Sequence, residues 1–493
     1  MTSNKIKKQM PLVASRRQGQ FSLEVLIFSA VAVVLISGFV FLSLSFTQFA
    51  VRGINKQVAF SIAEAGVEYY RWHLAHAPSD FQDGTGQPGP YAHNYYDKNG
   101  VLIGQFILDI TPPPTGSTVV KIRSTGKVTA DSTIQKIVEV KLAIASFAKY
   151  AVAANAAMRF GAGTEVFGEI MSNGGIRFDG VAHNFVKSAV QSYTDTDFDA
   201  CTGTNSWGVH TCSNPDDPLW PAALPDRPDI FNLGRESGVP AVNFAGITQD
   251  LADLKDQASS SGAYFPSSTY PGYELVLKTN DTYDVYRVNS LIAAPSGCTN
   301  SQNQSGWGTW TVNTSTLIAS GTIPANGIFF FEHNAWVKGS IDGARVTVAS
   351  AHFPDNSTSS RTNITVNSNL TYTNYDGSDA IALIAQNNIN IGLQASTTLR
   401  IDAALVAQNG RIGRYYYRPP GGGSQRCSPY HTRQEITSYG MIATSQRYGF
   451  AYTDGTGYQL RNLIYDTNLL YGPPPGFPLV GSQYIQVSWT EVQ

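Results

Sequence analysis

The sequence predicts a mainly β protein carried on a long N-terminal membrane helix, and three observations support this prediction. Residues 25–50 form an apolar run without a formal charge, longer than the roughly 20 residues that a helix needs to span a bilayer. Charged residues make up only 14% of the chain, and Gly, Ser, Thr, Asn and aromatic residues are plentiful, which favours a β-rich exported protein. Short apolar segments then recur in the C-terminal half with matched sequence.

A basic leader precedes the apolar run, and a single acid lies at the boundary between them. The leader has no acid and five cations, which are Lys5, Lys7, Lys8, Arg16 and Arg17. The positive-inside bias therefore keeps the leader cytoplasmic and exports everything after Ala50. The run is too long for a standard signal-peptide core of about 7–15 residues. Glu24 at its edge is costly in a membrane unless the carboxylate is paired.

The segment Gly19-Gln20-Phe21-Ser22-Leu23-Glu24 resembles the class III signal of type IV prepilins and pseudopilins. That family has a short basic leader ending in Gly and a Glu at the fifth mature position, where Glu24 falls if cleavage follows Gly19. The resemblance implies that a prepilin peptidase cuts between Gly19 and Gln20. It also implies that Glu24 pairs with the new α-amine of a neighbouring subunit. An ordinary signal anchor with an incidental glutamate is the alternative.

The first mature residue departs from the family pattern. Phe is usual there, whereas this chain has Gln20 first and Phe21 second. The departure bears on N-methylation more than on cleavage. The resemblance therefore assigns leader cleavage and N-methylation to Gly19, Gln20 and Phe21, and filament assembly to Glu24.

We expect the helix to occupy residues 20–77, because apolar residues continue at spacings of three and four until Pro78 ends it. This predicted stripe consists of Val51, Ile54, Val58, Ile62, Ala65, Tyr69 and Trp72. The segment Ala63-Glu64-Ala65-Gly66-Val67-Glu68 resembles the signature of PilX-like minor pilins. Its position about forty residues after the cleavage site strengthens that resemblance.

A small antiparallel sheet is predicted next, within residues 78–146. Residues 79–100 are rich in Gly, Pro, Asp and Asn and are predicted to form a loop. Strand-like segments follow at 101–110, 119–130 and 133–146, and the short turns between them favour a meander. Its apolar face would cover the exported half of the helix and complete a pilin-like module.

Residues 147–493 are predicted to form a parallel β-helix, or β-solenoid. Ala382-Leu383-Ile384-Ala385-Gln386-Asn387 is echoed 22 residues later by Ala404-Leu405-Val406-Ala407-Gln408-Asn409, and this period is the size of one coil. Ile384 and Val406 would then be equivalent positions in adjacent coils. Asn387 and Asn409 would stack at a corner. A β-sandwich gives similar strand spacing and is the alternative.

Two further features of this region concern its insertion and its tail. We expect a loop-rich insertion over about residues 195–310, with one short helix at 248–258. The tail returns to a strand at 483–489, which we expect to cap the end of the solenoid. These expectations rest on Pro, Gly and aromatic content in the insertion and on alternating residues in the tail.

The cysteines are four in number, and export permits disulfides between them. Cys201 and Cys212 flank a segment of loop composition, so a local bridge is the simplest pairing and leaves Cys298 with Cys427. Four cysteines allow three pairings, and four unpaired thiols are a further alternative. None of the spacings is typical of a zinc site.

The sequence predicts no catalytic residue, no metal site and no cofactor. It lacks the Gly-x-Ser-x-Gly, His-Glu-x-x-His and phosphate-loop motifs. The acidic segments Asp97-Lys98-Asn99-Gly100 and Asp376-Gly377-Ser378-Asp379 do not complete an EF-hand loop. Glu332-His333 and His431 are predicted to be surface or turn residues. Without the leader the chain has 29 basic and 36 acidic residues, a net charge of −7, and we expect no nucleic-acid partner.

Together these features favour a structural and interaction protein over an enzyme. The resemblance implies a PilX-like minor pilin that inserts in the inner membrane, is cut by prepilin peptidase and assembles with other pilin subunits through its helix. It would then lie on the pilus or cell surface, where its β domain meets a surface or glycan ligand. The alternatives are a membrane-tethered β-helix that cleaves polysaccharide, and a secretion-system pseudopilin. The β-helix fold hosts both binding and cleavage.

Overall fold

The structure, a computed structural model, describes residues 17–114, 116–197, 205–244 and 250–492. Within these residues the chain has a long N-terminal helix and is otherwise mainly β, as predicted. It divides into two compact units. The first contains the residues up to Ile110, Ile122–Val140 and the residues from Ser488, and the second contains Thr111–Lys121 and Lys141–Val487.

The N-terminal helix α1 spans Arg17–His76, and Pro78 follows it. At 1.5 Å per residue it is about 90 Å long. Its segment from Phe21 is long and apolar enough to cross a membrane. Three hydroxyl groups in this segment donate to carbonyls in the preceding turn at 2.9 Å, which satisfies them without water. They belong to Ser29, Ser45 and Thr47.

A small sheet accompanies the exported half of α1. Its strands are β1 (Tyr91–Tyr96), β2 (Leu102–Thr111), β3 (Val120–Val128), β4 (Asp131–Ala143) and the last strand of the chain, which covers Ile485–Val492. They lie side by side in that order, and β1 is antiparallel to β2. The three predicted strands are confirmed as β2, β3 and β4.

Two expectations about this sheet were wrong. Residues 79–100 are not all loop, because β1 lies there and pairs with β2 along its length. The last strand of the chain does not cap a solenoid, because it lies beside β4 and extends the small sheet. Both strands depend on partners distant in sequence, so local composition alone did not place them.

The second unit begins with short strands, which are β5 (Val152–Ala154), β6 (Met158–Phe160), β7 (Thr164–Phe167), β8 (Ile170–Ser172), β9 (Ile176–Phe178), β10 (Val181–Ala182), β11 (Val186–Ser188), β12 (Ser192–Tyr193), β13 (Ser206–Trp207), β14 (Val209–His210) and β15 (Arg235–Ser237). A helix, α2 (Asp250–Ser261), follows β15. It overlaps the helix predicted at 248–258 and extends to Ser261, and residues 245–249 lie outside the described part of the chain.

The strands after α2 are β16 (Ala263–Phe265), β17 (Gly272–Leu277), β18 (Thr282–Leu291), β19 (Val312–Thr322), β20 (Ile328–Phe331), β21 (Ala335–Ile341), β22 (Arg345–Ser350), β23 (Ile364–Thr365), β24 (Leu370–Tyr372), β25 (Ala380–Ala385), β26 (Ile389–Ile391), β27 (Thr398–Ala407), β28 (Ile412–Arg414), β29 (Thr432–Thr444), β30 (Gly457–Tyr465) and β31 (Ile485–Val492). Short 3-10 helices occur at Thr358–Ser360 and Thr467–Leu470. Here β31 is the last strand of the small sheet.

Parallel pairing dominates the second unit. One ladder runs in the order β15, β11, β8, β5, β29, β27, β25, β22, β20, β16, and every neighbouring pair is parallel. A second set of parallel pairs joins β24, β27, β29, β30, β7 and β10. A third joins β21, β23, β26 and β28. Parallel pairing agrees with the predicted β-helix and not with an antiparallel sandwich.

The first ladder is not in chain order. Strand β29, near the C-terminal end of the unit, pairs with β5, which is the first strand of the unit. The ladder consequently ends at β15 and β16, which are separated in sequence only by the segment that contains α2. That segment therefore connects one end of the ladder to the other.

The predicted register of the repeat is confirmed. Ile384 in β25 is the direct partner of Val406 in β27. Both are buried, but in a second apolar cluster that also contains Leu251 and Leu254 of α2. The alternating residues Leu383 and Leu405 lie in the larger cluster instead. The strands are thus buried on both faces, which explains why they are apolar throughout rather than alternating.

The asparagine prediction was only partly right. The Asn387 amide donates to the side-chain oxygen of Asn363 at 3.1 Å, and Asn363 donates in the same way to Asn334 at 3.1 Å. Asn409 donates instead to the backbone carbonyl of Gln386 at 2.8 Å. The asparagine stack therefore extends from Asn387 in the direction opposite to Asn409.

The insertion predicted over residues 195–310 contains more regular structure than expected. Strands β17 and β18 form an antiparallel pair, and β18 pairs in the same way with β19. Strand β17 also pairs in parallel with β21. Part of the insertion is therefore continuous with the parallel ladders, and its strand pattern was obscured by polar residues.

Candidate assembly helix and surface sites

The residues of the predicted leader signal lie at the start of α1. Gly19 and Gln20 are in the helix, and Phe21 and Glu24 have exposed side chains. Residues 1–16 of the leader are outside the described part of the chain. From Phe21 to Ile54 every side chain is exposed, and between Glu24 and Arg52 this surface carries no formal charge.

The exported half of α1 buries a different stripe from the one predicted. The fully buried residues are Ala59, Ile62, Ala63, Val67, Tyr70 and Leu74. Of the predicted stripe only Ile62 is fully buried, whereas Trp72 is 60% and Ile54 is 62% exposed. The buried stripe includes the small residues Ala59 and Ala63, which a search for large apolar residues does not detect. The buried face of the helix is therefore rotated from the predicted one.

Glycines allow α1 to approach the small sheet closely. A Cβ added to Gly66 of α1 would lie 2.4 Å from Ser124 Oγ, and one added to Gly126 of β3 would lie 2.0 Å from the carbonyl oxygen of Ala59. Real Cβ atoms do not tolerate such distances, so these positions need glycine. In the Ala63-Glu64-Ala65-Gly66-Val67-Glu68 segment, the small residues Ala63 and Gly66 are buried and Glu64 and Glu68 are exposed.

The described cysteines all lie in the second unit, where the predicted disulfides can be compared with the structure. Cys298 and Cys427 form a disulfide that spans 129 residues of sequence, and both are buried among Leu393, Tyr415 and Tyr417. Cys212 is also disulfide-bonded. Its proposed partner Cys201 lies outside the described residues. The bridge between Cys298 and Cys427 closes a long loop and so restricts the conformations of the unfolded chain. In the chain-entropy model this restriction stabilises the fold by roughly 4–5 kcal/mol.

One cluster has the residue types of a metal site. Ligand atoms of Asp195, His210 and Cys212 lie within 4.8 Å of one another. A disulfide-bonded cysteine has no thiolate to offer, and His210 Nε2 lies 3.2 Å from a carboxylate oxygen of Asp195. Arg177 lies 3.8 Å from the same carboxylate. These groups are therefore better described as a buried charge network than as a set of metal ligands.

The two acidic loops use their carboxylates for backbone hydrogen bonds. Asp97 accepts from the backbone N–H groups of Asn99 and Val101, each at 2.8 Å. Asp376 accepts from Ser378, and Asp379 accepts from the backbone of Thr373 and Asn374 at 2.9 and 2.7 Å. These contacts fix the loops and account for the acidic residues without a cation.

Glu332, which the sequence singled out beside His333, connects α2 to the strands. It accepts from Lys255 Nζ at 2.6 Å and from the hydroxyl of Tyr264. Burial alone would raise the pKa of Glu332, but these hydrogen bonds and the charge of Lys255 outweigh it and lower the pKa. Burial also lowers the pKa of the neighbouring His333. Both residues lie in the bend between β20 and β21, and Glu332 links that bend to Lys255 of α2.

Sequence reasoning missed the functional importance of two kinds of residue. The contact glycines Gly66 and Gly126 carry no periodic signal, although Gly66 was inside a segment quoted for its family resemblance. The arginines of the C-terminal strands, Arg414 above all, were not considered. Arg414 is fully buried, and an arginine inside an otherwise apolar strand segment is the signal that could have found it.

Comparisons with known proteins add little to this geometry. No family model matches the chain, and no curated protein sequence matches it. The competence-associated pilin ComZ from Thermus thermophilus aligns over 89% of this chain and 98% of its own, at 12% identity and a TM-score of 0.31. An ice-binding protein from an Antarctic biological consortium aligns over 66% and 91%, at 12% identity and a TM-score of 0.16. At these TM-scores neither similarity supports a conclusion about function.

Proposed function

We propose that this protein is a subunit of a type IV pilus or pilus-like filament, of the PilX-like minor pilin type. The proposal is based on the contrast between the two halves of α1. Its first half has an exposed surface that is uncharged from Val25 to Ala50 and is preceded by Glu24, and its second half packs on a small sheet through glycine contacts. A helix that is apolar all round needs either lipid or other helices around it.

Filament assembly gives the one carboxylate of this surface a role. In this proposal, prepilin peptidase cuts between Gly19 and Gln20 in the inner membrane and frees an α-amine. Glu24 of one subunit then pairs with the α-amine of a neighbour as the helices pack together. The pairing compensates a charge that is otherwise costly in an apolar environment.

The second unit is the part of the protein to which we assign an adhesive function in this proposal. We propose that its parallel ladders close into a β-helix exposed on the pilus or cell surface. The ladders are held by apolar clusters on both faces of β25 and β27, which makes a stiff support for surface loops. We propose binding, rather than catalysis, as the activity of this unit.

N-terminal sequencing of the membrane-extracted protein tests the first step. We expect the mature chain to begin at Gln20, because the basic leader directly precedes the apolar helix. A Gly19→Leu variant should keep its leader. A mature chain that retains the residues before Gly19, or one that begins after Ala50, would contradict the proposal.

The substitution Glu24→Ala tests the assembly step. We expect the variant to be processed and inserted but to be lost from sheared filaments, because an unpaired α-amine left among packed helices costs about 3–5 kcal/mol. Incorporation is measured by immunoblotting of the filament and membrane fractions. The control Asp109→Ala removes an exposed carboxylate of β2 and should be incorporated normally. Normal incorporation of Glu24→Ala would refute the pairing.

A further inference from the structure

A surface pocket of about 640 Å³ lies where three neighbouring strands of the second unit begin. It is lined by residues 394–397 before β27, by Pro429 and Tyr430 before β29, by residues 432–434 at the start of β29, and by Gln459 of β30. Strands β27 and β29 pair in parallel, and so do β29 and β30. The pocket is therefore built by the connections that precede β27 and β29, together with the first residues of β29 and β30.

Uncharged hydrogen-bonding groups dominate the lining. Three glutamines, Gln394, Gln434 and Gln459, lie around it with three Ser or Thr residues and the ring of Tyr430, and none of the lining residues is Asp or Glu. Within the described part of the chain, the side-chain amides of Gln394 and Gln434 make no hydrogen bond. Amides and hydroxyls beside an aromatic ring can bond the hydroxyls of a sugar and cover its apolar face.

One cation, Arg433, lines the pocket and is only 7% exposed. Its guanidinium donates to the carbonyls of Thr432 at 3.0 Å and Leu393 at 2.8 Å, and its Nε has no hydrogen-bond partner. The group lies 5.3 Å from the ring centroid of Tyr430. These contacts fix the charge in place beside the pocket.

A second cation lies behind the first. Arg414 is fully buried and donates to the carbonyls of Leu393 at 2.9 Å and Tyr430 at 2.6 Å. Two guanidinium groups thus hold the backbone that frames the pocket. Their hydrogen-bond acceptors in the described chain are all neutral carbonyls.

Among the described residues, neither guanidinium therefore has a carboxylate as an ion-pair partner. Burial lowers the pKa of Arg414 to about 10, and the charge of Arg433 also lowers it. Burial is also the largest cause that lowers the pKa of Arg433, while neighbouring tyrosines act in the opposite direction on both arginines. Buried charges are ordinarily paired. Two like charges without a carboxylate produce a positive potential at the pocket, which an anion would relieve.

We propose that this pocket binds a carboxylated sugar, such as one uronic acid unit of an acidic polysaccharide. The positive potential would select the carboxylate, the glutamine amides would bond the sugar hydroxyls, and Tyr430 would cover the ring. A volume of about 640 Å³ suits a saccharide and is far larger than an inorganic anion requires. The inference gives the proposed adhesive unit a ligand class, and it rests on the proposed function only for its biological role.

Calorimetric titration of the full-length protein in detergent micelles tests the site. The probes are a trimer of galacturonic acid and its methyl ester, which is the same sugar without the charge. We expect the acid to bind at least about ten-fold more tightly than the ester, and to weaken as salt rises from about 0.05 to about 0.5 M.

Paired variants locate the binding. Gln434→Glu places a like charge against the ligand at an exposed residue, and should weaken binding of the acid about ten-fold. Gln257→Glu makes the same change on the exposed face of α2 and should leave binding unchanged. Equal loss in both variants would overturn the assignment of the site.

Three results with the unaltered protein would overturn the ligand class. These are equal affinity for the acid and the ester, no binding of either, and tighter binding of sulfate or of a single-stranded oligonucleotide than of the sugar acid. The titration does not require assembly. Failure of the pocket inference is therefore distinguishable from failure of the filament proposal.

Discussion

Both units of this protein cover a β-sheet with a helix, but they do so by opposite means. In the first unit α1 meets the sheet through Gly66 and Gly126, where the backbones themselves come close. In the second unit α2 meets β16 and β20, and its Leu251 and Leu254 belong to an apolar cluster of side chains that also contains Ile328 and Ile384. One interface therefore tolerates no added atom, and the other depends on large apolar side chains.

The difference shows why one interface gave a clear sequence signal and the other did not. A contact made by aliphatic side chains appears as apolar residues at regular spacing. A contact made by glycine and alanine leaves gaps in that pattern. The predicted stripe of α1 consequently followed the larger residues Ile54 and Trp72, which are exposed.

The largest effect should come from a charge placed in the side-chain interface. Ile384→Asp would bury an unpaired carboxylate in the apolar cluster that contains Leu251 and Leu254, and should cost about 5 kcal/mol, enough to unfold a domain of ordinary stability. Circular dichroism during thermal unfolding measures it. Leu317→Asp makes a comparable change at a site that is 51% exposed on β19, and should cost less than about 0.5 kcal/mol. Equal losses would show that Ile384 does not lie in a closed apolar cluster.

A smaller effect should come from one methyl group in the backbone interface. Gly126→Ala would place Cβ 2.0 Å from the carbonyl of Ala59, and should destabilise the first unit by about 3 kcal/mol. Gly53→Ala adds the same methyl to α1 where nothing lies within 4 Å, and should be neutral or slightly stabilising. Protection of α1 amides in hydrogen exchange reports the change. An unaltered Gly126→Ala protein would mean that helix and sheet can separate without cost.

The smallest effect concerns the charge that holds α2 to the strands. The pKa of Glu332 is lowered in the folded protein, so its stabilisation is complete above the unfolded pKa of about 4.5 and is lost as pH falls through the folded pKa. Glu332→Gln should therefore cost about 1 kcal/mol at neutral pH and little at about pH 3. Urea unfolding at the two pH values measures this. Glu236→Gln, at an exposed site, should cost little at either, and a pH-independent loss for Glu332→Gln would contradict the ion pair.

Several parts of the fold follow from the sequence by itself. Uncharged length and the position of Pro78 determined α1, and alternation with short turns determined β2, β3 and β4. The matched repeat determined the register of Ile384 against Val406, because equivalent residues in stacked strands share one environment. All these signals are local or internally repeated, so they survive without knowledge of the partner.

Other parts were decided only by the tertiary structure. The pairing of β29 with β5, the place of β31 beside β4, and the face on which Ile384 lies depend on segments far apart in the chain. The charge pair of Arg414 and Arg433 likewise arises only when β28 and β29 fold together. Strand pairing and burial depend on contacts between distant segments rather than on the residues of one segment. For that reason the positions of many elements could be predicted from the sequence, whereas their pairing partners could not.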